Sequence, residues 1–184
     1  MILGITGFIA AGKTELTNIV STYGFTQLSF GDVVREEAKK QGLSFDRSTL
    51  QELGNSFREK HGGDIWARRI YAAIDPSKNY VIEGIRNPEE VSFFQTTPSF
   101  VLLAIDASTT TRYERLCLRK REGDPLSLKD FIKADFKDKG VLENSKGQQS
   151  LECFLLASKR IVNEGSREDL EKSMYSFLKD SRLI

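Results

Sequence analysis

Residues Gly7-Phe8-Ile9-Ala10-Ala11-Gly12-Lys13-Thr14 set two glycines five positions apart and follow the second with a lysine and a hydroxyl. Glycine at such points lets the backbone curl so that successive N–H groups face one anion, where a Cβ would clash or forbid a positive φ. The lysine adds a mobile point charge, and the threonine a hydroxyl suited to a magnesium ion. The spacing G-x-x-x-x-G-K-[ST] is that of a phosphate-binding loop, so Gly7, Ala10, Ala11, Gly12, Lys13, Thr14 and Glu15 are expected to hold the phosphate tail of ATP with Mg²⁺.

Such a loop needs a buried strand before it and a helix after it. The apolar run Ile2 to Ile5 and the amphipathic stretch beginning at Lys13 supply both. Further short β-branched runs are predicted as strands at 27–30, 80–82, 100–105 and 160–162. Amphipathic spacing predicts helices over 13–23, 32–41, 47–60, 64–73, 88–95, 109–121, 127–139, 148–158 and 166–178. Near-continuous hydrophobic strands alternating with helices require crossover connections, hence a parallel sheet covered on both faces. The fold class is α/β: a three-layer, doubly wound, five-stranded parallel sheet forming one domain over 1–184, with a helical acceptor-binding insertion at about 32–75 and a lid region at about 119–140.

In a doubly wound sheet the carboxyl ends of the strands line the ligand crevice. Asp32 and Arg35 follow the second strand, with Arg35 placed for a second phosphate group and Asp32 also able to act as a plain helix cap. Glu83 and Arg86 end the third strand and should face Lys13. Glu83 could hold magnesium through water, as Thr14 would through its hydroxyl, and Arg86 could clamp a phosphate in bidentate fashion. Arg112, Arg115 and Arg119 are spaced to share one helix face, with Arg121 beyond them; such a row is either a solvated face or the cation set that a transferring phosphoryl group requires.

Composition bounds the rest. A net charge of +1 gives no general attraction to nucleic acid or membrane, and no apolar stretch approaches the roughly 20 residues of a membrane span, so a cytoplasmic protein with a small-molecule partner is expected. A homo-oligomer is compatible with this. Cys117 and Cys153 fall in apolar helical patterns and read as reduced core thiols; one histidine and two distant cysteines argue against zinc. His61 reads as a turn residue, and Trp66, Tyr71 and the Phe93-Phe94 pair as core.

The order GxxxxGKT, Gly31-Asp32-Val33-Val34-Arg35, Glu83-Gly84-Ile85-Arg86 and an arginine-rich helix resembles the P-loop nucleoside monophosphate kinase superfamily over nearly the whole chain. Leu50-Gln51-Glu52-Leu53-Gly54-Asn55, Asn87-Pro88 and Gly147-Gln148-Gln149 are similar to archaeal adenylate-kinase-related proteins and to the kinase-like N-terminal domain of two-domain deoxycytidylate deaminases. The loop Arg160 to Ser166 is similar to the adenine-side loop of dephospho-CoA kinases and deoxynucleoside monophosphate kinases. The resemblance implies phosphoryl transfer from ATP to a nucleoside monophosphate or its deoxy form. It implies catalytic roles for Lys13, Arg86, Arg115 and Arg119, a nucleotide contact from Asn163, and acceptor contacts from Asp32, Arg35, Arg58, Glu83 and Arg86. Ala10 and Ala134 depart from the pattern, where glycine and arginine are usual. They keep two alternatives open: a catalytically weak nucleotide sensor and a dephospho-CoA-type kinase.

Overall fold

A computed structural model describes residues 1–119, 124–141, 147–181 and 183. Arg121, expected in the lid, lies outside the described residues. The five strands β1 (Ile2–Gly7), β2 (Thr26–Ser29), β3 (Tyr80–Glu83), β4 (Phe100–Asp106) and β5 (Lys159–Val162) form one parallel sheet in the order β2-β3-β1-β4-β5. The helices are α1 (Lys13–Ser21), α2 (Phe30–Lys40), α3 (Arg47–His61), α4 (Ile65–Tyr71), α5 (Pro88–Gln95), α6 (Thr109–Arg119), α7 (Leu128–Lys139), α8 (Ser150–Leu156) and α9 (Arg167–Asp180).

Alternation along the strands sorts the core into two layers. Leu3, Ile5, Val81, Leu103 and Ile105 face one way and pack with Leu16, Ile19 and Val20 of α1 and Leu170, Met174 and Leu178 of α9. Ile2, Tyr80, Ile82 and Leu102 face the other way and meet Trp66, Ile70, Val91, Phe94 and Cys153 from α4, α5 and α8. β1 is buried along its whole length, as the central strand of such a sheet must be. A third, small cluster of Ile9, Leu116 and Phe131 joins the phosphate loop to α6 and α7.

The expected elements are all present, with ends moved by a few residues. α2 starts at Phe30 with Ser29 in the cap position, so Asp32 lies in the first turn and is not the cap. α8 is shorter than expected at both ends, starting at Ser150 and stopping at Leu156. Cys153 is a buried thiol, but Cys117 is exposed, because α6 buries Arg112 and Leu116 and turns its next residue outward. Tyr71 is also more exposed than a core residue, standing edge-on to Phe93 at the end of α4.

Candidate active site

The loop between β1 and α1 takes the curl its residues require. Gly7 and Gly12 have φ of 145° and 107°, and a Cβ on Gly7 would strike the Ile105 carbonyl oxygen. Ala10 adopts φ 59° in spite of its methyl group. A left-handed non-glycine residue costs about 1–2 kcal/mol, and the packing of Ala10 against the Ile9, Leu116 and Phe131 cluster works against that cost. Because Gly12 is the N-cap, no side chain caps the first turn of α1, and its N–H groups remain available to an anion.

Lys13 Nζ donates to the Gly7 and Phe8 carbonyl oxygens at 2.8 Å each, folding back over the loop. Burial first, and then the neighbouring charge of Arg86, lower its pKa from 10.5 to about 8. The loop rests on two supports. Asn163, buried beneath it, donates from Nδ2 to Ala11 O at 2.9 Å. Arg112, 2% exposed, donates from Nη1 to Ile9 O at 3.2 Å, from Nε to Ala107 O at 3.0 Å, and to Asp135 of α7 at 2.5 and 2.9 Å. Asn163 was expected to contact the nucleotide; its amide donates to the backbone of the phosphate loop. Glu15 lies at the cleft edge with its carboxylate drawn to Arg167.

A cleft of about 580 Å³ opens in front of the loop. It is lined by Lys13 and Thr14 of α1 and by Arg115 and Arg119 of α6. Arg119 is held bidentately by Asp124 at 2.7 and 2.6 Å. Arg115 Nη1 is, among the described residues, the buried side-chain polar atom without a hydrogen-bond partner. A buried donor without a partner is costly. Arg35 from α2, Arg47 from α3, Glu83 at the end of β3 and Arg86 in the loop after it line the same cleft. Thr17 Oγ1 donates to Glu83 at 3.4 Å. Thr14 and Glu83, hard oxygen donors on one cleft, suit Mg²⁺, which needs few protein ligands and keeps its waters.

Two expected acceptor contacts are taken up by protein partners. Arg58 touches the cleft wall but is 4% exposed, and Glu90 Oε1 accepts from its Nε and Nη2 at 3.0 and 2.7 Å. That guanidinium is committed to an internal ion pair. Asp32 is exposed and accepts from Arg35 Nη1 at 2.8 Å; it borders a neighbouring depression with Thr17 and Glu83 rather than the main cleft. Arg112, Arg115 and Arg119 do not form one row of ligand cations, since Arg112 turns inward to Asp135.

Residues 6–133 match the family described as AAA domain. A UPF0200 protein of Thermoplasma volcanium is 35% identical, covering 98% of this chain and 97% of the relative. A UPF0200 protein of Hyperthermus butylicus is 32% identical over 93% of this chain and 89% of its own. The chain belongs to the UPF0200 family and carries an AAA domain. Its fold is shared with shikimate kinase from Aquifex aeolicus, with a TM-score of 0.59, 18% identity, and coverage of 100% and 99% of the two chains. The P-loop kinase fold that the motifs implied is therefore the fold of this UPF0200 protein.

Arg47 and Asp138 were not among the expected site residues of this UPF0200 protein: Arg47 lines the cleft, and Asp138 is buried 3.9 Å from it. Arg47 follows Asp46, whose side chain caps α3 by accepting from Thr49 N at 3.0 Å, and it reads locally as an ordinary first-turn residue. A signal did exist for Asp138. With Phe131 and Asp135 it falls on one face of α7, and a carboxylate on an apolar face needs a buried partner.

Proposed function

We propose that this UPF0200 protein transfers the terminal phosphoryl group of ATP to the phosphate of a nucleoside or deoxynucleoside monophosphate, giving the diphosphate and ADP. The observation that carries the reading is that one cleft is lined both by cations of α1 and α6, Lys13, Arg115 and Arg119, and by cations of other elements, Arg35, Arg47 and Arg86. Donor phosphates account for the first set. The second set comes from α2, α3 and the loop after β3, outside the phosphate loop, and suits a second anion, which the phosphate of the acceptor would provide.

In the transfer, an acceptor phosphate oxygen attacks the terminal phosphorus in line, the bond from that phosphorus to the ADP oxygen breaks, and the displaced oxygen carries the charge. Lys13 and the loop N–H groups would neutralise the donor, and Arg115 and Arg119 the charge spread over the equatorial oxygens. Arg35, Arg47 and Arg86 would hold the acceptor in position. Thr14, and Glu83 through water, would hold Mg²⁺, which would supply charge neutralisation for the phosphates.

A coupled ADP-release assay across the ribo- and deoxynucleoside monophosphates, with shikimate, gluconate and dephospho-CoA as comparison acceptors, tests the proposal. One monophosphate, or a related group of them, should raise turnover well above ATP hydrolysis alone. ATP binding with no monophosphate response refutes it.

A further inference from the structure

The face of α3 that lines the cleft is bare at one point. Arg47, Leu50, Gln51 and Gly54 fall at positions i, i+3, i+4 and i+7 of the helix, share one face, and line the cleft. Glycine inside a helix lowers its stability relative to alanine, so its presence there calls for a reason. Two ordinary reasons fail. Gly54 does not have a positive φ. A Cβ built on it would meet, beyond its own helix backbone, only Arg58 Nη1 within 4 Å, at an ordinary contact distance of 3.6 Å. The protein therefore has room for a side chain that the sequence leaves out. Gly54 is buried although it lines the cleft, which sets it at a narrow inner part of that space. Phe45, in the loop ahead of α3, lines the same cleft and is 54% exposed. Its ring is apolar surface that a ligand in the cleft would cover, and Val34 of α2 adds aliphatic surface to the same lining.

We infer that Gly54, Leu50 and Phe45 form the seat of the acceptor's heterocyclic base, with the bare backbone at Gly54 keeping room for a flat ring. This rests on the proposed nucleotide acceptor and adds to it the residues that recognise its base. Arg47 lies seven residues, about 10 Å of helix rise, from Gly54. A phosphate held at the first and a base at the second leave the sugar between them. A base offers an apolar face to Phe45, and stacking of a base on an aromatic ring is favourable whichever base is present. A puckered ring bearing hydroxyls would bring them against Val34, Phe45 and Leu50, whose side chains offer no hydrogen bond. Selectivity arises because the stacking gain belongs to the aromatic ligand alone, while the arginines serve any phosphate.

Calorimetric titration without ATP, using AMP, GMP, CMP, UMP and ribose 5-phosphate as probes, tests this on the wild-type chain, Phe45→Ala and Gly54→Ala. The tightest of the four monophosphates should bind at least about tenfold more tightly than ribose 5-phosphate, which carries the sugar phosphate without a base. Phe45→Ala should weaken that monophosphate by about tenfold and leave ribose 5-phosphate unchanged within about twofold. Gly54→Ala improves helix propensity, so Tm should rise by about 2–4 °C while the monophosphate binds several-fold more weakly. A glycine with a purely structural role would show the rise in Tm without the loss of affinity. Absence of any base advantage in wild type overturns the inference, as do variants that melt at least as high as wild type and keep the advantage. If Gly54→Ala does not fold, Phe45→Ala decides alone. No turnover enters these measurements. Base-dependent binding without ADP release would therefore remove only the proposed reaction, and a monophosphate kinase indifferent to Phe45 and Gly54 would remove only this inference.

Discussion

Arg58→Ala separates the structural role of this arginine from the acceptor contact implied by family resemblance. Arg58 is 4% exposed and Glu90 fully buried. Glu90 Oε1 takes both Arg58 bonds, while Oε2 accepts from the backbone N–H groups of Arg86 and Asn87 at 2.9 and 3.1 Å. Deleting the arginine leaves a buried carboxylate with backbone donors alone, and breaking a buried pair on one side costs about 3–5 kcal/mol. For a chain of 184 residues the unfolding entropy is roughly 0.4 kcal/mol/K, so Tm should fall by about 8–13 °C. The double variant Arg58→Met/Glu90→Gln removes both charges and keeps an oxygen for the two N–H groups; it should regain more than about half of that loss. Thermal unfolding by circular dichroism at fixed pH reads both. If Arg58→Ala melts within about 2 °C of wild type, or the double variant is no better than the single, the ion-pair reasoning is wrong. A loss confined to acceptor KM would restore the contact role.

The remaining predictions concern the donor side. Lys13 has its folded pKa lowered to about 8 against 10.5, so the unfolded chain holds more protons between those values and this group makes stability rise with pH across that window. Urea midpoints taken at pH 7.5 and 10 should show a smaller rise in Lys13→Met than in wild type, and identical slopes would refute the shift. Arg115→Met removes the buried unpartnered nitrogen, so ligand-free Tm should hold or rise while kcat falls by about 10²–10³; a marked drop in Tm would show that Arg115 is already satisfied in solution. Asn163→Ala loses the bond to Ala11 O and should cost about 1–2 kcal/mol in stability together with triphosphate affinity. Unchanged melting with weakened nucleotide binding would instead return Asn163 to the base.

The phosphate loop, the strand and helix order and the α/β class were legible in the sequence because each depends on neighbours within a few residues. A period of two or 3.6, a glycine where φ must be positive, and a cap such as Asn87 at the start of α5 are local demands, written locally. Lys13, Thr14, Glu83, Arg86, Arg115 and Arg119 were legible for a related reason: in a parallel sheet, strand ends and the helices that follow them fall at one edge. What the charged side chains meet there was decided only by tertiary structure. Arg58 reads as a cation free for a ligand until α5 brings Glu90 against it, 32 positions away. Asn163 reads as a base contact until β5 sets it under Ala11, 152 positions away. Arg86 and Asp138 are separated by 52 positions and meet at 2.7 Å. A cation's electrostatic role depends on the nearest opposite charge and on the water excluded around it. Both are properties of the packed chain, so residue type and spacing placed the arginines at the cleft, and packing alone determined which of them are paired internally.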